Sequence, residues 1–122
     1  MKEGENMRVV KSLLIATAIS GLAFTTASAD LVKEGEKIFN EKKLGNCLAC
    51  HAVNGKKISD PGSLGPVLAG MKYYPDDYIY NAIYDIYAAK GITTSAMPAF
   101  GKNGILSDHE IKALVAYLKT VE

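Results

Sequence analysis

The chain has 122 residues, a formal net charge of +1 and two cysteines. After residue 29, eleven lysines balance eleven acidic residues, and no arginine occurs. Nucleic-acid binding requires a basic footprint, so this charge balance excludes that class of function. A domain of this size buries only about 60–65% of the surface of its unfolded chain, so its core is marginal without an additional stabilising group.

The N-terminal segment has the three parts of a secretory signal peptide. Arg8 and Lys11 form a basic start, residues 12–24 are an apolar run, and residues 27–29 form an A-x-A cleavage site. The apolar run is shorter than the roughly 20 residues that a membrane span requires, although an uncleaved anchor is the alternative. We therefore predict a signal peptide over residues 1–29, with Met7 as an alternative start.

Export then follows the general secretory route, because no twin-arginine pair occurs. The mature protein is predicted to be a single domain of residues 30–122, located in the periplasm and without a membrane span.

Cys47, Cys50 and His51 form a C-x-x-C-H motif, the attachment signature of c-type haem. Two thiols at this spacing on a short turn can reach both vinyl groups of one porphyrin, and His51 can then bind the iron. A structural zinc site needs four ligands, and a thioredoxin-like pair needs a β-α-β pattern; the sequence supplies neither. A plain disulfide would leave His51 unexplained. The motif therefore predicts one covalently attached haem c.

Hydrophobic periodicity and end signals predict three helices. The first runs from residue 31 to about residue 43, with Asp30 as its N-cap. The third opens with a capping box from Ser107 to Glu110 and runs to about residue 120. The predicted inner face of this third helix consists of Ile111, Leu114, Val115 and Leu118.

The second predicted helix runs from residue 75 to about residue 90. Pro75, Asp76 and Asp77 suit its first turn, and Gly91 can end it. Its predicted buried stripe consists of Tyr78, Ile79, Ala82, Ile83, Ile86 and Tyr87.

A first helix with a small-residue notch at Gly35, followed by C-x-x-C-H and a C-terminal helix bearing Tyr117, resembles the class I cytochrome c family. The resemblance implies an all-α fold in which three main helices surround one covalently attached haem. It also implies that the two terminal helices cross closely at Gly35, with Phe39 and Tyr117 packed nearby.

An electron carrier of that family needs a sixth ligand for iron, and the resemblance points to Met97. This residue lies in the loop between the second and third helices, as the distal methionine does in class I cytochromes, and Pro98 stiffens that loop. Met71 is predicted to be a core or haem-edge side chain. His109 is a further conceivable ligand, although the second position of a capping box usually faces solvent.

The resemblance also assigns a role to Pro66. Its carbonyl is expected to accept a hydrogen bond from the second ring nitrogen of His51, which would orient the imidazole. A simple loop turn explains Gly65 and Pro66 equally well. Tyr73 and Tyr74 are candidates for hydrogen bonds to the haem propionates, and the sequence does not choose between them.

Ligation by His51 and Met97 would fill both axial positions of the iron, so oxygen, peroxide or substrate would find no vacant site. We therefore expect transfer of single electrons through an exposed haem edge, and no catalysis by this chain alone. A haem peroxidase or ligand sensor is the rival in the enzyme class, and it requires an open or labile distal site.

A closer resemblance, to the SoxX family of monohaem cytochrome subunits, covers nearly all of residues 30–122. The segments that carry it, in chain order, are residues 45–51, 61–66, 74–76, 97–101 and 104–106. SoxX and SoxA form the SoxAX complex, which joins thiosulfate oxidatively to a cysteine of the carrier SoxYZ. The resemblance implies the electron-accepting subunit of a heterodimeric L-cysteine S-thiosulfotransferase, which passes its electrons to a small downstream cytochrome.

Two features agree with that division of labour. Haem attachment uses both Cys47 and Cys50, and residues 30–122 contain no arginine for a thiosulfate dianion, so a substrate site would involve another polypeptide. The main alternative is a free-standing cytochrome c that shuttles electrons in another respiratory chain. Such a shuttle often carries a strongly charged docking face, so the balanced charge favours a stable partner.

Overall fold

The computed structural model describes residues 28–58 and 60–122. The predicted signal peptide lies outside these residues except for its last two positions. Its cleavage and the alternative start at Met7 therefore stay predictions.

Helices and turns make up the domain. The described part of the chain has four helices: α1, described over residues 28–40, α2 (Asp76–Tyr84), α3 (Ile86–Lys90) and α4 (Asp108–Leu118). Single 3-10 turns lie at Cys47–Ala49 and Met71–Tyr73, and an isolated parallel bridge joins Val53 to Leu68. The predicted all-α fold is confirmed, with α1, α2 and α4 as its main helices and α3 as a short addition.

Close approach of α1 and α4 depends on Gly35. A Cβ atom at this position would lie 2.0 Å from the carbonyl oxygen of Ala113 and 2.8 Å from Cβ of Tyr117, so no larger residue fits. The rings of Phe39 and Tyr117 pack beside the crossing, with centroids 5.6 Å apart and planes at 56°. The expected crossing of the terminal helices is therefore confirmed.

The capping box at the start of α4 forms as predicted. The Ser107 hydroxyl accepts the Glu110 N–H, and the Glu110 carboxylate accepts the Ser107 N–H. The buried residues of α4 include its whole predicted inner face and are Ile111, Ala113, Leu114, Val115, Tyr117 and Leu118. Their buried neighbours in the core include Ile38, Phe39, Ile79, Ile83, Phe100 and Leu106.

Both predicted ends of the first helix are wrong. Asp30 lies inside α1, which already includes residue 28, so it is not an N-cap. At the other end α1 stops at residue 40, because the chain turns back on itself. The Gly45 N–H donates to the carbonyl of Ile38 at 3.1 Å and so satisfies one of the free C-terminal carbonyls.

The predicted second helix is in fact two helices, separated at Asp85. The backbone of Asp85 is extended, with φ −154° and ψ 93°, and its carboxylate accepts the N–H groups of Tyr87 and Ala88. Asp85 therefore ends α2 and caps α3. At the other end of α2, Pro75 is the N-cap and does not lie in the first turn.

The predicted buried stripe of this region is correct at only two positions, both in α2. Ile79 and Ile83 are buried. The other predicted positions keep part of their surface in contact with solvent: Tyr78, Ala82, Ile86 and Tyr87. The break at Asp85 interrupts the 3.6-residue period, so a single apolar stripe cannot continue from α2 into α3.

Candidate haem-binding site

The C-x-x-C-H segment forms one tight turn after α1. Asn46 precedes it in the left-handed region with φ 50°, and Cys47–Ala49 form a 3-10 turn. The N–H groups of Cys50 and His51 both donate to the carbonyl of Cys47, at 3.1 and 2.9 Å. Cys47 and Cys50 are free thiols, so both sulfur atoms are available for thioether bonds.

The thiol of Cys47 is electrically neutral at physiological pH. Burial raises the pKa of Cys47 to about 12, and the neighbouring Cys50 adds to the increase. Metal binding and thiol–disulfide exchange both use the thiolate, whereas a buried neutral thiol suits an apolar environment. The surroundings of Cys47 therefore match a sulfur atom bonded to the edge of an apolar ring better than a redox-active thiol.

His51 is oriented by a main-chain carbonyl. Its Nδ1 lies 2.7 Å from the carbonyl oxygen of Pro66, the partner that the family resemblance implied. A carbonyl oxygen can only accept a hydrogen bond, so in the neutral imidazole Nδ1 carries the proton and Nε2 keeps its lone pair. This tautomer leaves Nε2 free to bind a metal.

A loop of residues 61–66 packs directly on the C-x-x-C-H turn. The N–H of Gly62 donates to the Leu48 carbonyl at 2.9 Å, and the N–H of Gly65 donates to the Cys50 carbonyl at 2.8 Å. A Cβ atom at Gly62 would lie 1.7 Å from the carbonyl oxygen of Ala49. The loop can approach this closely only because the residue is glycine.

Gly65 has the same role beside the imidazole. A Cβ atom there would lie 2.3 Å from Cε1 and 2.8 Å from Nε2 of His51. Sequence reasoning missed both glycine contacts. The available signal was a pair of glycines flanked by prolines, Pro61-Gly62 and Gly65-Pro66, shortly after the motif.

Met97 lies in the loop between α3 and α4 and is half-buried against the core. Its N–H donates to the hydroxyl of Ser95 at 3.0 Å. Met71 begins the 3-10 turn Met71–Tyr73 and is also half-buried against the core. His109 is exposed, and its Nε2 lies 3.0 Å from the carboxylate of Glu34 in α1. The two methionines thus lie against the core, whereas His109 lies at the surface beside Glu34.

The Met97 loop is attached to the junction of α2 and α3 at both of its ends. The carbonyl of Tyr84 accepts the N–H groups of Gly101 and Lys102, both at 3.1 Å. The hydroxyl of Tyr87 donates to the carbonyl of Ser95 at 3.1 Å. Sequence reasoning gave Ser95 no role. The available signal was its position two residues before Met97, because a serine hydroxyl in a turn often accepts the backbone N–H two residues further along the chain.

Two exposed apolar side chains lie in, and directly after, the loop of residues 61–66 that contacts His51. Leu64 is 73% exposed and Val67 is 62% exposed. Two thiols, an oriented imidazole and uncovered apolar side chains fit a porphyrin, whose face would cover them. Tyr73 is 79% exposed and Tyr74 stacks on Tyr78, and the propionate contacts expected of them stay predictions.

Neither a metal-ion cluster nor a membrane span occurs in residues 28–58 and 60–122. In these residues no three or more His, Cys, Asp or Glu side chains come together in a way that could hold a metal ion. Within the same part of the chain, no helix combines the length and the apolar character needed to cross a membrane.

Comparison with known proteins matches residues 30–118 to the family described as "Cytochrome C oxidase, cbb3-type, subunit III". A protein of Aquifex aeolicus (strain VF5), described as an uncharacterized lipoprotein, is 35% identical over 97 residues. The matched region covers 75% of this chain but 46% of the relative, so the chain spans about half of that protein's length.

Proposed function

Because the chain belongs to the cytochrome c family of cbb3-type oxidase subunit III, we propose that it carries single electrons on one haem c ligated by His51 and Met97. Family membership makes the chain a monohaem electron carrier. Covalent attachment through Cys47 and Cys50 is implied by the family and by the motif. The two axial ligands are the part of the assignment that we add.

The observation that carries the assignment of His51 is the hydrogen bond from its Nδ1 to the Pro66 carbonyl, at 2.7 Å, whereas Met97 is assigned from its position in the loop before α4. A metal-bound histidine usually donates its other ring N–H in this way, which fixes the ring and strengthens the ligand. Gly65 lies close to the imidazole, and Gly62 lies close to the turn that carries it, so neither position has space for a Cβ atom.

When bound, haem c supplies a one-electron iron couple, and its potential depends on the axial ligands and on solvent access. The chain's own residues hold and shield the group. Cys47 and Cys50 would attach it, His51 and Met97 would serve as its iron ligands, and the exposed apolar side chains of Leu64 and Val67 would shield it from water. Because these two side chains would take both ligand positions of the iron, no position would remain for a substrate, and the chemistry supplied would be transfer of single electrons.

Substitution of the two methionines tests the ligand assignment. Met97→Ala should abolish the methionine–iron charge-transfer band of the ferric protein, whereas Met71→Ala should retain it. Loss of the band only in Met71→Ala would transfer the ligand role to Met71.

Cys47→Ala combined with Cys50→Ala tests the covalent attachment. The double variant should have no haem that survives denaturation, and persistence of covalent haem would contradict the attachment site.

The more specific part of our proposal is the SoxX role in a periplasmic SoxAX complex. Its support is the ordered series of segments that resemble SoxX. Both cysteines lie in the haem motif and residues 30–122 lack arginine, so thiosulfate chemistry would take place on a SoxA-like partner and a SoxYZ-like carrier. A small cytochrome would accept the electrons downstream. The lipoprotein relative supports a location outside the cytoplasm.

A free-standing electron shuttle of another respiratory chain is the second candidate. The family match favours the respiratory part of this candidate, because the matching family is described by a cytochrome c oxidase and not by a sulfur-oxidising complex. The fold and the haem ligands are the same in both candidates, so only the partner distinguishes them.

Gentle purification of the tagged protein from the periplasm of thiosulfate-grown cells separates the two candidates. Co-elution of a second cytochrome in stoichiometric amount would support the SoxAX role. Elution as a stable, reducible monohaem protein alone would contradict the subunit role and favour the diffusing shuttle.

A further inference from the structure

We infer that Ser95 is a positioning residue that holds Met97 for iron ligation, and that Tyr87 fixes Ser95 in turn. The inference rests on the proposal that Met97 is the sixth ligand of the haem iron. It assigns a role to two polar side chains in the loop and helix next to Met97.

Two hydrogen bonds connect these three residues. The Ser95 hydroxyl accepts the N–H of Met97 at 3.0 Å, and the Ser95 carbonyl accepts the hydroxyl of Tyr87 at 3.1 Å. Both bonds lie in half-buried surroundings, so water competes with them less than it would at the surface. The backbone just before Met97 is thus held by a side chain of its own loop and by a side chain of α3.

A methionine ligand needs this kind of support. Its side chain has three rotatable bonds and adapts to many shapes, so it does not orient itself. The backbone conformation therefore decides where the thioether sulfur can reach. Without the Ser95 hydroxyl, the Met97 N–H would lose its acceptor, and the loop would more often adopt conformations in which the sulfur leaves the iron.

The helix that carries Tyr87 is itself fixed. Asp85 accepts the N–H groups of Tyr87 and Ala88 at the start of α3, and the Lys102 ammonium lies 3.7 Å from the Asp85 carboxylate. Lys102 also donates its N–H to the carbonyl of Tyr84 at 3.1 Å. Both ends of the Met97 loop are thus held at the break between α2 and α3, which gives that break a function.

Displacement of the methionine by imidazole in the ferric holoprotein tests the inference, because imidazole binds only when Met97 leaves the iron. Ser95→Ala and Tyr87→Phe should each lower the apparent Kd for imidazole by about 3- to 10-fold, the effect of one lost hydrogen bond. Ser95→Thr keeps the hydroxyl and should stay within about twofold of wild type. Thr94→Ala removes an exposed neighbouring hydroxyl and is the matched control.

The outcomes distinguish failure of the positioning role of Ser95 and Tyr87 from failure of the proposed iron ligation by Met97. If Ser95→Ala or Tyr87→Phe binds imidazole like Thr94→Ala, the positioning role is wrong. If Ser95→Thr weakens ligation as much as Ser95→Ala, the hydroxyl is not the cause and the inference is also wrong. Met97→Ala is measured in parallel: persistence of the charge-transfer band there would overturn the proposed ligand set itself. If Met97→Ala loses the band while Ser95→Ala binds imidazole with the wild-type affinity, only the positioning role is wrong.

Discussion

His51 shows how single residues prepare the site. Its Nδ1 is held by the Pro66 carbonyl at 2.7 Å, and the main chain of Gly65 lies against the same ring. In the neutral ring the first contact selects the tautomer with a free Nε2, and the second depends on the absence of a Cβ atom at Gly65. Two adjacent residues therefore set both the tautomer of the neutral imidazole and the surroundings of the ring.

Replacement of Gly65 by alanine tests this packing. Its Cβ would lie 2.3 Å from Cε1 of His51, so the ring or the loop must move. We expect the holoprotein to lose about 1–3 kcal/mol of unfolding free energy, as overpacked sites do, and its haem absorption spectrum to shift. Denaturant unfolding and the ferric spectrum measure the two effects.

Gly55→Ala is the control for that experiment. Gly55 has φ 76°, and no atom lies within 4 Å of the position that a Cβ would take, so alanine there adds backbone strain without touching His51. Its haem spectrum should remain that of the wild type. An unaltered spectrum and stability in Gly65→Ala would show that the ring is not confined by the loop.

At the scale of elements, a polar contact joins α2 to the first turn of α4. The hydroxyl of Tyr80 donates to Asp108 Oδ1 at 2.6 Å, and the ammonium of Lys112 lies 2.9 Å from Asp108 Oδ2. The Tyr80 hydrogen bond, followed by that of Lys112, holds the pKa of Asp108 below its ordinary value. The same bond raises the pKa of Tyr80. The contact therefore favours the ionised carboxylate at a helix N-terminus, where negative charge is stabilising.

This contact predicts a defined pH dependence for Tyr80→Phe. A carboxyl group whose pKa is lowered in the folded state adds stability above its unfolded value of about 3.9, and this is lost as the pH falls through the folded pKa. In Tyr80→Phe, the pKa of Asp108 should rise toward its ordinary value, and less stability should be lost on acidification. The carboxyl carbon shift of Asp108 in an NMR titration measures the first effect, and unfolding at neutral and acidic pH measures the second.

Tyr73→Phe provides the comparison, because Tyr73 is 79% exposed. Its Asp108 titration should match that of the wild type. An unchanged Asp108 midpoint in Tyr80→Phe would mean that the hydrogen bond does not control the ionisation of Asp108.

For the whole molecule, the helical core and the haem site depend on each other. Buried side chains of α1, α2 and α4 form one cluster, yet Leu64 and Val67 beside the C-x-x-C-H turn are more than half exposed. A domain of this size has a small hydrophobic core, so apolar side chains left in contact with water lower its folding stability. The haem is expected to complete the core by covering this surface.

The haem-free chain is therefore predicted to be largely unfolded. Thermal unfolding followed by far-UV circular dichroism should be cooperative for the holoprotein. For the Cys47→Ala, Cys50→Ala chain prepared without haem, the helical signal should be weak and the transition broad. A sharp transition with the helix content of the holoprotein would show that the protein core is sufficient without haem.

The sequence by itself determined the features that depend on neighbouring residues. The C-x-x-C-H spacing, the capping box from Ser107 to Glu110 and the inner face of α4 are all local patterns, and each predicts its structure because the interacting groups lie within a few residues. The close crossing at Gly35 and the Pro66 contact came from resemblance to known cytochromes. The haem ligands stay predictions until the spectra are measured.

Only the tertiary structure decided which distant segments touch. The break at Asp85 was missed, because the helical pattern continues through it and the bonds from Tyr84 to Gly101 and Lys102 appear only when the later loop folds back. The contacts of Gly65 with His51, and of Tyr87 with Ser95, were invisible for the same reason. A periodic pattern reports which face of a segment is apolar, but it carries no information about the neighbour that will lie against that face.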